Sequence, residues 1–238
     1  MKKILFILLL SCLTSLGQAQ LYKIEGGLSF STIQPNTINL TFEQEFSYRM
    51  FFNLGAKVSF PLSPIFSLET GLLFDSKGFK SSGYDYANIT GQSLLYYINI
   101  DAALYYLVVP LILQETFYLK NSSHVFAGFG PYGGIGLMGD LKYKLQDAIS
   151  GRISNRENDV VWGNNEDSDI KRFDYGLSFQ LGYEINSIQL FGAYDLGLEN
   201  ILPQSNSGLT SKNRSFRISL AYVLNNPAKK QMRPIISE

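Results

Sequence analysis

The chain has very few of the side chains that build metal sites, disulfides and nucleophilic active sites. Its 238 residues include one cysteine, Cys12, and one histidine, His124. Cys12 lies in the N-terminal leader described below, and removal of that leader excludes disulfides, thiol nucleophiles and cysteine-based metal sites. A serine nucleophile needs a general base, and His124 is the only histidine that could act as one. The sequence therefore predicts no catalytic residue, no cofactor, no metal ligand and a protein that is not an enzyme.

Long hydrophobic runs and an excess of charge of one sign are also lacking. The longest apolar stretch of the expected mature chain, residues 104–113, contains Pro110 and is shorter than the roughly 20 residues of a transmembrane helix. Basic and acidic side chains are equal in number, at 20 each. No helical membrane span and no binding of nucleic acid are predicted.

The first 19 residues have the pattern of a secretory signal peptide. Lys2 and Lys3 precede the apolar residues 4–10, and Gly17 and Ala19 supply the small side chains that a signal peptidase reads. We expect cleavage after Ala19, which removes Cys12. Lipoprotein processing at Cys12 is the alternative, and a retained helical anchor is disfavoured because the apolar run is too short.

The most informative pattern that is present is the alternation in residues 173–185. Every odd position, from Phe173 to Ile185, is large and apolar, whereas every even position is polar or glycine. Side chains of a β-strand point alternately to opposite faces, so this segment is predicted to be a strand with one apolar and one polar face. Its length matches the roughly 9–11 residues of a membrane-crossing strand better than a typical strand of a soluble sandwich.

Seven further segments follow the same rule, which makes eight candidate strands. They cover residues 22–31, 48–60, 66–77, 97–117, 125–145, 188–198 and 215–224. Pro110 cannot donate to a strand ladder, and we expect a β-bulge there. Short turns at residues 61–65, 119–124 and 186–187 alternate with long loops, as in outer-membrane barrels with short periplasmic turns. The predicted fold is all-β: an eight-stranded antiparallel transmembrane β-barrel with both termini in the periplasm.

The polar faces of these strands are predicted to fill the barrel. An eight-stranded barrel is just wide enough for its own side chains, and both signs of charge are represented, so we expect a plug of ion pairs rather than a narrow channel. The predicted inward charges are Lys23, Glu25, Lys57, Glu69, Asp75, Asp101, Asp140, Lys142, Lys144, Asp174, Glu184, Asp195 and Arg217.

One long polar loop, residues 146–170, is predicted between the fifth and sixth strands. Its run from Asn164 to Asp169 is rich in oxygen atoms but lacks the spacing of a calcium loop, so a solvated loop is favoured. Trp162, the only tryptophan, has three open roles: packing the loop against itself, entering the membrane interface or contacting a partner. Residues 225–238 form a basic tail, for which disorder is the default expectation.

Taken in order along the chain, several of these segments resemble the small outer-membrane β-barrel family of Bacteroidota called PorT-like. The segments are residues 23–30, 66–74 with Lys77-Gly78, 104–111, Gly128-Phe129-Gly130-Pro131-Tyr132, Asp174-Tyr175-Gly176-Leu177, 196–201 and Asn213-Arg214-Ser215-Phe216. Two features depart from the family: the last strand ends at Leu224 rather than at an aromatic residue, and a tail follows it. The resemblance implies a barrel scaffold whose relatives mostly have no assigned activity.

The sequence thus predicts a signal peptide at residues 1–19, a barrel at 20–224 and a periplasmic tail at 225–238. The expected function is a non-enzymatic outer-membrane scaffold that presents surface loops. The alternatives are a component of a secretion or envelope-assembly system, a narrow channel, a lipid-modifying enzyme, and a soluble calycin-like barrel whose apolar faces line a cavity. Expected partners are membrane lipids including outer-leaflet lipopolysaccharide, the barrel-assembly machinery and a secretion-system or envelope protein.

Overall fold

The computed structural model describes residues 20–36, 44–89, 92–119, 123–165, 167–203 and 210–225. The predicted signal peptide, Cys12 and the tail beyond Asn225 lie outside these ranges. Within them, no helix has the length and apolar character needed to cross a membrane.

Ten strands form one antiparallel sheet. They are β1 (Leu21–Asn36), β2 (Gln44–Ser47), β3 (Arg49–Pro61), β4 (Phe66–Ile89), β5 (Gln92–Tyr118), β6 (Ser123–Asp147), β7 (Ile153–Asp159), β8 (Phe173–Ile185), β9 (Ile188–Gly197) and β10 (Thr210–Val223). Eight of them close a ring in the order β1, β3, β4, β5, β6, β8, β9, β10 and back to β1. The predicted eight-stranded barrel is confirmed, and closure leaves these strands without a free edge.

The two ends of the barrel differ. At one, here called the turn end, short connections join β3 to β4, β5 to β6 and β8 to β9, and Leu21 and Val223 lie there as well. Asn186, in the two-residue turn after β8, has a positive φ of 59°, a conformation that asparagine tolerates well. The other connections between the strands lie at the opposite end, here called the loop end.

At the loop end, β4 is twelve residues longer than predicted, whereas β5 and β6 extend by only five and two residues. β4, β5 and β6 have 24, 27 and 25 residues, and β4 pairs with β5 as far as Ile89 and Gln92. The predicted long loop between the third and fourth candidate strands is therefore wrong, because most of it is a continuous hairpin. The predicted loop 146–170 contains β7, which pairs with β6, while β2 pairs with the upper part of β4. Together these segments form a five-stranded extension above the ring.

The outer surface of the ring is apolar and the inner surface is polar. In β8, the side chain of Phe173 is 65 % exposed and that of Asp174 only 1 %. The twelve steps from Phe173 to Ile185 span about 40 Å along the strand and about 28 Å of height at a tilt of about 45°. This matches the apolar band of roughly 25 Å seen in membrane barrels. It also rules out the calycin-like alternative, in which the apolar faces point inward.

A bulge in β6 reverses the faces of three predicted inward charges. Tyr105 of β5 pairs with Met138 and Tyr106 with Gly136, so Leu137 is an extra residue, and Leu137 and Met138 are both exposed. Beyond this point the odd positions of β6 point inward. The assignment of Asp140, Lys142 and Lys144 to the lumen is therefore wrong, since they lie on the outer face. The assignment of Asp101 of β5 to the lumen is also wrong, since Asp101 pairs with Lys142 on the outer face.

The predicted bulge at Pro110 is also wrong. Pro110 pairs with Tyr132, and the register between β5 and β6 is the same on both sides of that pair. The carbonyl oxygen of Pro110 accepts a hydrogen bond of 2.7 Å from Oγ1 of Thr70. The strand thus tolerates the missing amide donor without changing phase.

Candidate functional site

The half of the lumen nearer the turn end is filled by a charge cluster from β1, β3 and β4. Lys23 lies 2.6 Å from a carboxylate oxygen of Glu69, and Lys57 lies 3.1 Å from the other oxygen of Glu69 and 2.9 Å from Glu25. All four side chains are buried. Two lysines against two glutamates make the cluster neutral, and the predicted pairing of these inward charges is confirmed. Buried charges are tolerated because each has a close partner.

Aromatic and amide side chains complete this layer. The ammonium of Lys57 lies 5.2 Å from the ring centroid of Phe191, and that of Lys23 lies 5.9 Å from Phe126. Gln180 donates to Glu69 at 3.4 Å and to Gln114 at 3.2 Å. These contacts come from strands on the far wall, so the cross-section is filled from both sides.

A second charge cluster lies closer to the loop end. Arg217 contacts Asp195 at 3.0 Å, and Lys77 contacts Asp174 at 2.8 Å. The same oxygen of Asp174 accepts from Tyr132 at 3.3 Å and from Asn213 at 3.1 Å. Asp75, also predicted to face inward, is buried in this layer.

Lys77 was missed by the sequence reading, although its position could have revealed it. It follows Asp75 by two residues in β4 and therefore points to the same face. The side chain is fully buried, with its ammonium 4.3 Å from the ring of Tyr132 and 5.5 Å from that of Tyr106. A lysine at the predicted end of a strand is easily taken for a solvated loop residue.

His124 contacts a carboxylate at the turn end. Its Nε2 atom lies 3.0 Å from a carboxylate oxygen of Glu184, which also accepts a hydrogen bond from Gln189. Its ring packs against Tyr118, with centroids 5.5 Å apart. Across the part of the chain that the structure covers, no three histidine, cysteine or acidic residues are grouped as metal ligands.

An apolar cap covers the loop end of the lumen. Residues 160–165 and 167–172, here called the strap, cross the mouth and are tied down by backbone hydrogen bonds from Val160 to Gly139, from Gly136 to Arg172 and from Lys171 to Ile201. Buried side chains pack beneath and around it: Ile33, Leu73, Phe79, Leu104, Tyr106, Val108, Tyr132, Leu141, Val160, Ile170 and Ile201. The lumen is thus sealed by apolar packing above its two charge clusters.

Trp162 fixes the strap to the barrel wall. Its ring meets Tyr106 edge to face, and a β-carbon at Gly136 would lie 2.3 Å from it. Glycine is required at position 136 because the indole occupies the space of any side chain. Of the three roles left open for Trp162, a packing role is observed, but the ring packs the strap against the barrel wall rather than against itself. Asp169, from the oxygen-rich run, accepts a hydrogen bond of 2.8 Å from the amide of Val161 and so shapes the strap itself.

A charged contact holds the end of the strap. Lys171 donates to Glu199 at 2.9 Å, outside the ring of strands. Burial tends to raise the pKa of Glu199, but hydrogen bonds from Lys171 and Tyr175 outweigh it and hold that pKa below its ordinary value.

The outer face of the extension carries a concave surface, here called the outer groove, of about 780 Å³. Cross-strand partners arrange its side chains in rows. One row runs Ser47, Lys80, Asp101, Lys142, Glu157, and the next runs Ser82, Asn99, Lys144, Asn155. Lys142 pairs with Glu157 at 2.7 Å, and Arg49 reaches Asp101 at 2.6 Å. Sequence reading missed this surface because it placed three of these charges inside the barrel.

Comparison with known proteins places these features in a wider context. No curated protein matches the sequence. Among solved structures, the chain is similar to the attachment invasion locus protein Ail of Yersinia pestis, with 13 % identity over 87 % of this chain and 99 % of that one and a TM-score of 0.36. It is similar to the outer membrane protein OprG from Pseudomonas aeruginosa, with 14 % identity over 87 % and 97 % of the two chains and a TM-score of 0.41. The outer membrane protease OmpT from Escherichia coli has 9 % identity over 87 % and 97 %, with a TM-score of 0.33.

The sequence pattern of one protein family spans most of the barrel. The family is described as the outer membrane protein beta-barrel domain, and its match covers residues 18–202. This agrees with a ring of strands that is apolar outside and polar inside. The chain belongs to the outer membrane protein β-barrel domain family.

Proposed function

We propose that the protein is a closed, non-enzymatic barrel of the outer membrane whose working surface is the extension at the loop end. The observation that carries this proposal is the double seal of the lumen. Two layers of paired charges occupy its length, and the apolar cap covers its mouth. A continuous water path would require both to open, so the narrow-channel alternative is disfavoured.

The proposal includes an orientation. The turn end and both termini face the periplasm, and the extension faces the outside of the cell. Support comes from the contrast between short turns and long structured hairpins, which is the usual asymmetry of outer-membrane barrels. Export through a signal peptide cleaved after Ala19 and insertion by the barrel-assembly machinery belong to the same proposal.

The finer family assignment is likewise proposed. The segments quoted above favour a PorT-like protein of Bacteroidota, for which a component of a secretion or envelope-assembly system is the second candidate role. The strand β7 supports that role. It is held in place by its pairing with β6, and all seven of its residues are exposed and so accessible to a partner protein.

Two measurements test the closed barrel and its orientation. In a planar bilayer the purified protein should show no steady conductance, and stable channels from the wild-type protein would contradict the seal. In intact cells, Ser154→Cys in β7 should react with a membrane-impermeant maleimide. Leu62→Cys, in the turn after β3, should react only after the outer membrane is permeabilised. The wild-type protein is the labelling control, and the reverse pattern would overturn the orientation.

A further inference from the structure

The outer groove begins just above the apolar band. On β5 the outward positions from Phe117 to Tyr105 are apolar with the exception of Glu115, and the next outward charge is Asp101. Asp101 lies four residues beyond Tyr105, which is about 13 Å along the strand. The corresponding transition on β6 runs from Met138 to Lys142. The charged row therefore lies where a bilayer changes from acyl chains to headgroups.

The groove has more positive than negative charge in its own rows. Its two carboxylates are neutralised, Asp101 by Arg49 and Glu157 by Lys142. Among the described residues, neither Lys80 nor Lys144 forms an ion pair, and both line the groove. Asp140 and Asp159 lie one row nearer the membrane, at the β6–β7 side, away from Lys80. An anion placed between Lys80 and Lys144 would thus meet two uncompensated ammonium groups.

Neutral hydrogen-bonding groups accompany the two lysines, next to the carboxylate of Asp101, which is the cross-strand partner of Lys80 and is paired with Arg49. Ser82, Asn99, Lys144 and Asn155 are successive cross-strand partners on β4 to β7. Neighbouring strands are about 4.8 Å apart, so these groups present donors at regular intervals across the groove. Phosphate oxygens accept from donors of this kind and are attracted by ammonium groups.

An aromatic pair borders the donor row on the side away from the membrane. Tyr84 and Tyr97 are cross-strand partners on the outer face, with ring centroids 5.1 Å apart and planes at 61°. A tyrosine ring offers a flat apolar face and a polar hydroxyl, which suits the apolar face and hydroxyl rim of a sugar. Ammonium groups, neutral donors and rings therefore follow one another with increasing distance from the membrane.

We infer that the outer groove binds a phosphorylated sugar headgroup, namely that of a glycolipid in the outer leaflet. The phosphate lies between Lys80 and Lys144, with Ser82 and Asn99 donating to it, and the sugar packs against Tyr84 and Tyr97. The inference rests on the proposed orientation, because the loop end must face the leaflet that carries such lipids.

Binding to diphosphoryl lipid A tests this site. The full-length protein, refolded in a neutral maltoside detergent, is titrated with lipid A in mixed micelles, and binding is followed by native mass spectrometry. Lys80→Gln combined with Lys144→Gln should weaken binding by about tenfold. Lys212→Gln, on the outer face of β10 at the same end of the barrel, is the matched control and should bind as the wild type does. Tyr84→Ala with Tyr97→Ala should also weaken binding, with the phosphate preference unchanged.

The remaining arms separate the possible outcomes. Enzymatically dephosphorylated lipid A should bind no better than the double lysine variant does. Glucosamine 1-phosphate without acyl chains should compete, and its failure to do so would remove the headgroup from the site. Equal weakening in the Lys212 control, or none in the groove variants, would overturn the inference. Each variant is first checked for the gel mobility shift of a folded barrel, and detergent binding does not depend on orientation, so a wrong orientation is detected separately by the cysteine labelling.

Discussion

The ring of Trp162 stands edge-on to that of Tyr106, with centroids 5.5 Å apart and planes at 87°. Tyr106 belongs to the barrel wall and Trp162 to the strap, so this contact joins the strap to the barrel wall. The lumen below it is already filled by charge clusters. The contact therefore holds the strap over the mouth of the lumen at the loop end.

Removing the indole should loosen the strap without unfolding the barrel. We expect Trp162→Ala to cost roughly 2–4 kcal/mol, because a large side chain leaves a cavity beside Tyr106. Proteolysis of the strap should become faster, whereas the barrel should keep its gel mobility shift. Val161→Ala is the matched control because Val161 is exposed. Equal protease sensitivity of Trp162→Ala and the wild type would contradict the packing role.

Glu69 should be much more important for stability than an exposed acidic residue. Glu69→Gln leaves Lys23 and Lys57 buried with one fewer carboxylate between them, and breaking a buried pair costs roughly 3–5 kcal/mol. Glu157→Gln breaks the exposed pair with Lys142, which solvent screens, and should leave the urea midpoint close to that of the wild type. Urea titration of the refolded barrel, followed by gel mobility, compares the two. A loss of similar size in both variants would show that the buried cluster is not a stabilising unit.

Lys77 and Asp174 should behave as one unit in a double-mutant cycle. Lys77→Met and Asp174→Asn each leave the other charge buried without its closest partner. The double variant removes both charges, so its cost should be smaller than the sum of the single costs by roughly 1–3 kcal/mol. The same urea titration measures all four proteins. Additive losses would mean that the 2.8 Å contact contributes no coupling.

Acid should release the end of the strap through Glu199. Its pKa is depressed in the folded protein, so its contribution to stability is present above the ordinary value of 4.5 and is lost as the pH falls below it. Glu199 pairs with Lys171 at the end of the strap, and Trp162 belongs to the same strap. Loss of this pair should therefore change the fluorescence emission of Trp162 over this acid range. Glu199→Gln should remove that change, while Glu157→Gln should retain it. An unchanged acid transition in Glu199→Gln would assign the effect to another group.

The ring was predictable because its strands obey a rule set by the lipid. Residues 173–185 were identified with their true ends, since the alternation is unbroken and both ends border turns. The prediction failed above the membrane band, where outward positions become polar and the rule no longer applies. Asp101 was assigned to the wrong face for that reason, and the outer groove was missed with it. The position of Trp162 could not be derived, because it depends on how the strap docks over Gly136, which is distant from Trp162 in the sequence.

The bulge at Leu137 allows one strand to pass from a hydrocarbon environment into water. Towards the turn end, β6 crosses a hydrocarbon environment and must present apolar side chains outward. Beyond the bulge it is surrounded by water and must present polar side chains outward. Since successive side chains alternate, one inserted residue inverts the polarity of every position that follows. Deleting Leu137 would send Lys142 into the apolar cap and turn Leu141 out to water. A single extra residue in β6 thus marks the change from an outer face suited to lipid to an outer face suited to water.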